Sequence, residues 1–230
     1  MALSHSPKIT LDGLVLCLDA GNTKSYPGSG TTWTDLSGRG NNGTLNGATY
    51  NSANGGNISF NGSNDYGAIS SSSSNILTTL TLECWFKRIG VPGGGFHVLF
   101  QKEGGYSGAG VYGLRCNDLG TAYGNISTGS GINEQFYLYS TTTIAGNTWY
   151  HISMTYDSGY NMKLYVNAVL ENSRSDIGVV PFQNSSSIVI GTGDSRYTNG
   201  NIASMKIYNR ALTAAEISQN FNALRGRFGI

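Results

Sequence analysis

Short runs of alternating apolar and polar residues recur along nearly the whole chain. In the run "MKLYVN", Met162, Leu164 and Val166 share one face, while Lys163 and Tyr165 share the other. A period of two is typical of antiparallel strands that cover a core with one face. Clusters of Gly, Asn, Asp and Ser separate the runs and are typical of turns. The predicted strands read "GLVLCLDA", "NISFNG", "LTLECWFKRI", "HVLFQK", "VYGLRCN", "EQFYLYST", "WYHISMTYD", "MKLYVNA", "SIVIGT" and "IASMKIYN".

Tight turns are predicted by the dipeptide Asn-Gly, which favours the positive φ angles of hairpin loops. It occurs at Asn42, Asn46, Asn54, Asn61 and Asn199. The run "GLVLCLDA" is apolar on both faces, which predicts a strand that is covered on both sides. Strands and turns of this kind predict an all-β sandwich.

Only the end of the chain predicts a helix, over residues 213–225. Thr213 and Glu216 have the spacing of a capping box, in which each side chain bonds the other's backbone N–H. Gly226 is expected to end the helix in the left-handed conformation. A helix this short is unstable alone, so it must dock on the sheets. Its apolar stripe, at i, i+4 and i+7, consists of Ile217, Phe221 and Leu224.

Composition agrees with one large folded domain. The chain has 230 residues, of which 39% are hydrophobic and only 12% are charged. This length suits a single sandwich, so we expect an N-terminal arm over residues 1–10 and one domain over residues 11–230. The net charge is +1, and no basic run occurs, so nucleic-acid binding is not expected. The apolar run over residues 14–18 is too short for a signal segment or a membrane span.

The cysteines Cys17, Cys84 and Cys116 lie inside apolar strand patterns. An odd number of cysteines, in a chain without a signal segment, favours buried reduced thiols over disulfides. Synthesis and assembly in a cytoplasm agree with this expectation. Three tryptophans are expected to be core or turn anchors, namely Trp33, Trp85 and Trp149.

The ordered set of motifs resembles the laminin-G-like, concanavalin A-like family. The motifs are "LVLCLDAGN", "WTDLSGRGNNGTL", "FNGSNDYGAI", "LTLECWFKR", "WYHISMTYD", "KLYVNA" and a closing "NGNIASMKIYNRAL" that leads into "TAAEI". The resemblance covers nearly the whole chain. It implies a two-sheet antiparallel jelly-roll sandwich with one short C-terminal helix.

A narrower resemblance concerns both ends of the chain. The opening "LDGLVLCLDAGNTKSYPGSGTTWTDLSG" and the ending "IYNRALTAAEISQNFNALRGRFG" are similar to stand-alone domains of tailed-phage virion proteins. Cys17 replaces a frequent aromatic residue, and Ala168 replaces a Gly that often follows "YVN". The likeness implies a virion surface component that decorates the capsid or belongs to a fibre or tail. Its partners would be other virion proteins, further copies of itself and glycans. The alternative is a lectin-like domain of a bacterial surface or secreted protein.

Catalysis is not expected, although the same fold also includes glucanases. Those enzymes carry alternating Glu-x-Asp-x-Glu on one strand, which places the carboxylates on one face. No glutamate of this chain has an acidic residue two positions away, so hydrolysis is the weakest alternative. His151 lies in a family strand and is expected to form structural hydrogen bonds. The glutamates are Glu83, Glu103, Glu134, Glu171 and Glu216.

Calcium is the usual cofactor of the family and needs six to eight oxygen ligands from turns. Asp19, Asp35 and Asp194 are the loop carboxylates that we consider as ligands. The alternative is that Asp35 and Ser37 only satisfy backbone groups of their own turn.

Glycan binding is a frequent function of the family. Sugars stack on aromatic rings, while arginine and amide groups bind their hydroxyls. The rim segments expected to bind are residues 90–110, 116–131 and 194–200, although tyrosine also packs well on sheets. The N-terminal arm and the tail "RGRFGI" are the expected anchors to a particle. The candidate glycan-binding residues are Tyr106, Tyr112, Arg115, Tyr123, Tyr137, Tyr139, Arg196 and Tyr197.

Overall fold

A computed structural model describes residues 8–92, 95–104, 110–129 and 135–230. Within these ranges two eight-stranded sheets, antiparallel throughout, enclose one core, and a small hairpin and a C-terminal helix accompany them. This confirms the predicted all-β sandwich with one C-terminal helix. The elements are β1 (Leu14–Asp19), β2 (Thr32–Trp33), β3 (Gly43–Asn46), β4 (Thr49–Asn51), β5 (Asn57–Asn61), β6 (Tyr66–Ile69), β7 (Leu80–Arg88), β8 (Phe96–Lys102), β9 (Tyr112–Asn117), β10 (Thr121–Ser127), β11 (Gln135–Thr143), β12 (Trp149–Tyr156), β13 (Met162–Val166), β14 (Val169–Arg174), β15 (Ile188–Ile190), β16 (Thr192–Gly193), β17 (Arg196–Tyr197), β18 (Asn199–Tyr208) and α1 (Ala214–Leu224).

The first and last strands of the chain pair with each other inside the first sheet. The first sheet has the order β14-β13-β12-β7-β18-β5-β4, with β1 also paired to β18. The second sheet has the order β11-β10-β9-β8-β15-β6-β3-β2, and the hairpin β16-β17 follows β15. Within the described ranges no helix is long and apolar enough to cross a bilayer.

The core lies between the sheets and takes one face of each strand. Met162, Leu164 and Val166 are buried in it, as their alternation predicts. Tyr165 points to the opposite face but is also buried, because a second cluster with Ile217 covers that face. The three cysteines are buried and free, which confirms the predicted thiols. The three tryptophans are buried as well, with exposed fractions of 0%, 0% and 5%.

Strand β10 is one of several strands that the predicted runs do not include. The segment 116–131 was predicted as a rim loop, but β10 runs through it and pairs with β9 and β11. Gly124 makes this strand hard to predict from the sequence, since glycine is a poor strand former. The structure requires it, because any Cβ at Gly124 would collide with the sulfur of Met154 from the opposite sheet.

The Asn-Gly dipeptides form turns at three of the predicted positions. Gly47, Gly55 and Gly62 have φ angles of 75°, 73° and 78°. The prediction is wrong at Asn42, whose Gly43 begins β3, and at Asn199, which begins β18. Sheet pairing there outweighs the local preference for a turn.

Helix α1 begins as the sequence predicts. Thr213 is the N-cap, and both hydrogen bonds of the capping box with Glu216 are present. Gly226, however, does not end the helix in the left-handed conformation. The chain passes from α1 into a 3₁₀ turn over Arg225–Arg227, and Gly229 is the residue with positive φ, at 73°.

Both segments predicted as anchors contact the domain with their described residues. In the tail "RGRFGI", the Phe228 ring stacks on Trp85 at 4.2 Å, and Arg227 pairs with Asp19 at 2.7 Å. The tail is therefore part of the packed fold, and its role as an anchor stays a prediction. At the other end, the Thr10 amide donates to Asn220 Oδ1 at 2.7 Å. The described end of the predicted arm thus lies against α1, and residues 1–7 fall outside the described ranges.

Candidate functional site

Pairing between β9, β10 and β11 gathers polar and aromatic side chains on the outer face of the second sheet. Tyr123 lies opposite Arg115 on β9 and opposite Tyr139 on β11. Two positions further along β10, Asn125 lies opposite Tyr137. Because alternate strand residues share a face, these five side chains point away from the core.

The tyrosine rings form one contiguous cluster. The ring centroids of Tyr123 and Tyr139 are 5.3 Å apart, and those of Tyr137 and Tyr139 are 6.2 Å apart and nearly parallel, at 24°. Phe96, from β8, extends the cluster with its centroid 6.4 Å from Tyr123. Such spacings are typical of favourable aromatic pairs.

Two arginines complete this surface. The guanidinium carbons of Arg115 and Arg196 lie 4.9 Å and 4.2 Å from the centroid of Phe96, within cation–π range. Arg115 also donates to Gln101, and Arg196 pairs with Asp194. We call Phe96, Arg115, Tyr123, Tyr137, Tyr139 and Arg196 the aromatic face.

The hairpin β16-β17 brings Arg196 to the aromatic face. Both strands of this hairpin contact β8, beside which the hairpin lies. Its turn is made by Asp194 and Ser195, whose φ angles are 54° and 58°. Asp tolerates the left-handed region better than most residues, which explains a tight turn without glycine at this place.

Exposure falls from the rim of the aromatic face toward its centre. Tyr139 is 49% exposed and Tyr137 is half-buried, whereas Tyr123 and Arg115 are 7% and 3% exposed. Burial raises the pKa of Tyr123, with Arg115 opposing the rise, and burial also raises the pKa of Tyr137. Both phenols are therefore neutral near pH 7 and can donate hydrogen bonds. The arrangement can stack a flat apolar ligand surface and bind hydroxyls around it.

Five of the predicted glycan-binding residues come together here. Tyr197 is half-buried beside Arg196 and forms no ring contact with any described residue of the aromatic face. Tyr106 lies outside the described residues. The prediction for Tyr112 is wrong, because that side chain is buried in the core and donates to the carbonyl of Asn75 at 2.8 Å. The five residues brought together are Arg115, Tyr123, Tyr137, Tyr139 and Arg196.

Sequence reasoning missed Phe96 and Gln101. Gln101 lies in the predicted strand "HVLFQK", and Phe96 comes directly before it. Their contact with β9, however, depends on pairing between segments that are distant in sequence. Val98 lies opposite Arg115, and the bulge that follows Val98 shifts the register of β8. A bulge of this kind has no clear signature in one sequence.

The three candidate calcium ligands are each engaged elsewhere. Asp19 pairs with Arg227 and Asp194 with Arg196. Asp35 accepts hydrogen bonds from the backbone amides of Cys17, Ser37 and Asn41, as the turn alternative expects. In the part of the chain that the structure describes, no three His, Cys, Asp or Glu residues are grouped around a metal position. These carboxylates do not fit a calcium ion as they lie, and calcium binding stays a prediction that melting with and without chelator tests.

A second polar cluster lies on the outer face of the first sheet, beneath α1. Glu83 accepts hydrogen bonds from Asn220 Nδ2 at 3.0 Å on both oxygens, and Lys206 Nζ lies 3.7 Å from Glu83 Oε2. His151 Nε2 is 3.9 Å from the same oxygen. Each of these four side chains is at most 2% exposed. We call Glu83, His151, Lys206 and Asn220 the covered cluster.

Burial dominates the electrostatics of the covered cluster. It raises the pKa of Glu83, with Lys206 and Asn220 opposing, and it lowers the pKa of His151 well below its ordinary value. His151 is structural, as predicted, but its ring nitrogens form no hydrogen bond with a described group. It packs on Trp85 at 5.2 Å between ring centroids instead. The cluster is closed to ligands, so the aromatic face is the candidate site.

Comparison with solved structures identifies the fold. The binding domain of paraclostridial mosquitocidal protein 1 is similar, with a TM-score of 0.70 at 19% identity. The binding domain of botulinum neurotoxin DC gives 0.72 at 16% identity, and a botulinum neurotoxin type C structure gives 0.71 at 15%. Each comparison covers 93% of this chain and 52% of the other, so the chain spans about half the length of these structures. At these identities the likeness shows the fold alone.

Comparison with protein-family models identifies the family of the chain. A search of curated proteins found no match. The family model described as the concanavalin A-like lectin/glucanases superfamily, Laminin_G_3, matches residues 60–218, which is more than half of the chain. That range holds the whole aromatic face and the start of α1. The chain therefore belongs to the concanavalin A-like lectin/glucanase superfamily.

Proposed function

We propose that this chain is a non-catalytic glycan-binding domain and that the aromatic face is its binding surface. The observation that carries the proposal is the contiguous tyrosine cluster, flanked by two arginines, on an outer sheet face. Sugar rings present flat C–H surfaces that stack on tyrosine, and their hydroxyls accept from arginine and tyrosine donors. The half-buried and exposed rings of Tyr137 and Tyr139 supply the stacking surface, while Arg196 supplies donors at its edge.

The similar structures support this proposal by analogy. The botulinum neurotoxin DC binding domain forms a complex with SialylT, and cell entry of botulinum neurotoxin type C depends on interaction with two ganglioside molecules. These are properties of the toxins. Because these toxin domains have the same fold, their properties support a carbohydrate-binding role for a sandwich of this kind.

The positions of the described glutamates support a non-catalytic role. Retaining hydrolysis needs two carboxyl groups about 5–5.5 Å apart beside the substrate. Glu83 lies beneath α1, Glu171 accepts hydrogen bonds from Thr141 and Thr142, and Glu216 caps the helix. The fourth described glutamate, Glu103, is exposed just after β8. Of the described carboxylates, Asp194 contacts the aromatic face, where Arg196 neutralises it.

Glycan arrays with the multimerised domain test the proposal. We expect saturable binding that falls at least about tenfold in Tyr139→Ala, since a stacked aromatic ring contributes more than about 1.4 kcal/mol at a binding hot spot. Tyr66→Ala is the matched control, because Tyr66 is a half-buried tyrosine on β6 of the same sheet. Equal losses of binding in both variants, or no binding of the unchanged domain on any array, would contradict the proposal. Turnover of a bound polysaccharide would contradict the non-catalytic part.

We further propose that the domain is carried on the surface of a phage particle, assembled in the host cytoplasm. The resemblance of both chain ends to virion domains supports this location. Single sites of this size bind weakly, and many copies on one particle would raise the avidity. Mass spectrometry of purified particles should detect the chain. Its detection in a bacterial surface or secreted fraction, and not in particles, would favour the alternative of a bacterial lectin-like domain.

A further inference from the structure

A polar groove lies at the edge of the sandwich, away from the aromatic face. It has a volume of about 430 Å³ and is bounded by β1, the segment 73–78 and the residue that follows β18. Pockets of a few hundred Å³ are typical of small-ligand sites. Its apolar part includes Ile76 and Leu77, and its polar part includes Arg39, Ser73, Thr78 and Asn209. It shares no residue with the aromatic face.

The wall of the groove is held from behind. Asn41 is 4% exposed and donates to the Val15 carbonyl at 2.7 Å and to Ser74 Oγ at 2.9 Å. Ser72 Oγ donates to Asn41 Oδ1 at 2.7 Å. These bonds tie β1, the 35–42 loop and the serine segment together, so the groove is formed before any ligand arrives.

Three further hydrogen bonds fix the same wall. The buried ammonium of Lys102 donates to Asn75 Oδ1 at 3.1 Å and to the Ser186 carbonyl at 2.7 Å. On the other side, Thr79 Oγ1 donates to the carbonyl of Asn209 at 2.9 Å. Preformed walls lower the ordering cost of binding.

Four of the polar groups that line the groove are, by contrast, exposed side chains, whereas the hydroxyl of Ser74 is bonded to Asn41. Within the described ranges the Arg39 guanidinium, the Ser73 and Thr78 hydroxyls and the Asn209 amide form no side-chain hydrogen bond or ion pair. The loop that carries Arg39 is itself fixed, because Asp35 accepts from two of its backbone amides. An exposed cation on an anchored loop, together with donors that a ligand can reach, therefore surrounds an apolar patch.

We propose that this groove binds an acidic sugar, with its carboxylate on Arg39. The lining contains no Asp or Glu, so it favours an anion over a cation. Arginine binds a carboxylate through two parallel hydrogen bonds. The hydroxyls of Ser73 and Thr78 and the amide of Asn209 match the hydroxyls of a sugar, and Ile76 and Leu77 match its C–H surface.

Galacturonate and galactose form a matched pair of probes, because they differ only in the carboxylate. Titration of the isotope-labelled chain, followed by NMR, should give shifts around Ser73 and Asn209 with galacturonate. Galactose should bind at least about tenfold more weakly. Equal affinity for the two sugars would overturn the proposal.

Four variants locate the binding. Arg39→Gln should weaken galacturonate at least about tenfold, while the control Lys163→Gln, which removes an exposed charge from β13, should leave it unchanged. Tyr139→Ala should also leave it unchanged; a loss there would place the sugar on the aromatic face and overturn the groove. Thr78→Trp should block the groove by bulk. If inorganic phosphate binds as tightly as galacturonate with the same dependence on Arg39, the groove is a plain anion site and the sugar assignment fails.

Discussion

The outer faces of the two sheets arise from the same strand alternation, but one face is covered and the other is partly exposed. On the first sheet, the outward side chains of β7, β12 and β18 form the covered cluster, which α1 shields completely. On the second sheet, the outward side chains of β9, β10 and β11 form the aromatic face, whose rim remains exposed. The helix contributes to this difference, because it docks on the first sheet, while the rim of the aromatic face stays exposed.

The comparison shows how burial changes the demands on polar groups. Beneath the helix, a charge must be paired and hydrogen-bonded, and Glu83 meets both conditions through Lys206 and Asn220. On the aromatic face, solvent reaches the rim, where the Tyr139 ring is 49% exposed. Mutations on the covered side should therefore change stability, and mutations on the open side should change binding.

The largest effect is expected from Lys206→Met, which leaves the Glu83 carboxylate buried without its cation. Removing one partner of a buried pair costs about 3–5 kcal/mol. Burial raises the Glu83 pKa above its ordinary value of 4.5, so the folded variant binds more protons than the unfolded chain. Its stability should therefore fall further as pH rises above about 4.5.

Urea denaturation of Lys206→Met between pH 5 and pH 8, at about one-unit steps, measures this effect. The double variant Glu83→Gln/Lys206→Met is the control, because it removes both charges and should recover most of the loss. An unchanged midpoint in the single variant would show that the pair does not contribute to stability.

A smaller loss is expected from Phe221→Asp. The Phe221 ring stacks on Trp85 at 5.6 Å and 10° between planes. A carboxylate at this position should detach α1 and cost about 2–4 kcal/mol. Asn222→Asp adds the same charge to the exposed side of the same turn and should change stability by less than about 0.5 kcal/mol. If both variants melt alike, the helix does not stabilise the sheet that it covers.

On the open side, Tyr139→Ala should lower stability by less than about 1 kcal/mol, because the ring is half exposed. Thermal melting measures this loss, and the array experiment measures the loss of binding. A stability loss as large as that of Phe221→Asp would mean that the aromatic face is a packing surface, and the comparison of the two faces would fail.

The smallest effect is a gain, expected from Ala168→Gly at the β13-β14 turn. Ala168 has a φ of 64°, in the left-handed region that costs an L-residue about 1–2 kcal/mol. Glycine removes this strain but adds unfolded-state entropy, so the net gain is about 0.5–1 kcal/mol. Ala145→Gly, at an exposed position without positive φ, should give no gain in the same denaturation measurement.

Much of the fold could be predicted from local patterns. The alternation of Met162, Leu164 and Val166 and the capping box of Thr213 and Glu216 depend on neighbours in sequence, and both are confirmed. The candidate site was predicted only in part. Tyr112 has the same residue type and neighbours as the true face residues, and only its position on the inner side of β9 excludes it.

The sequence by itself determined the strand period and the helix start, because each follows from spacing over a few residues. Tertiary structure alone decided which sheet α1 covers, since that depends on Trp85 and Phe228 meeting across the fold. It also brought Phe96 beside Arg115 and Arg196, from three separate strands. Contacts between distant segments depend on register and closure of the whole chain, and no short stretch of sequence contains that information.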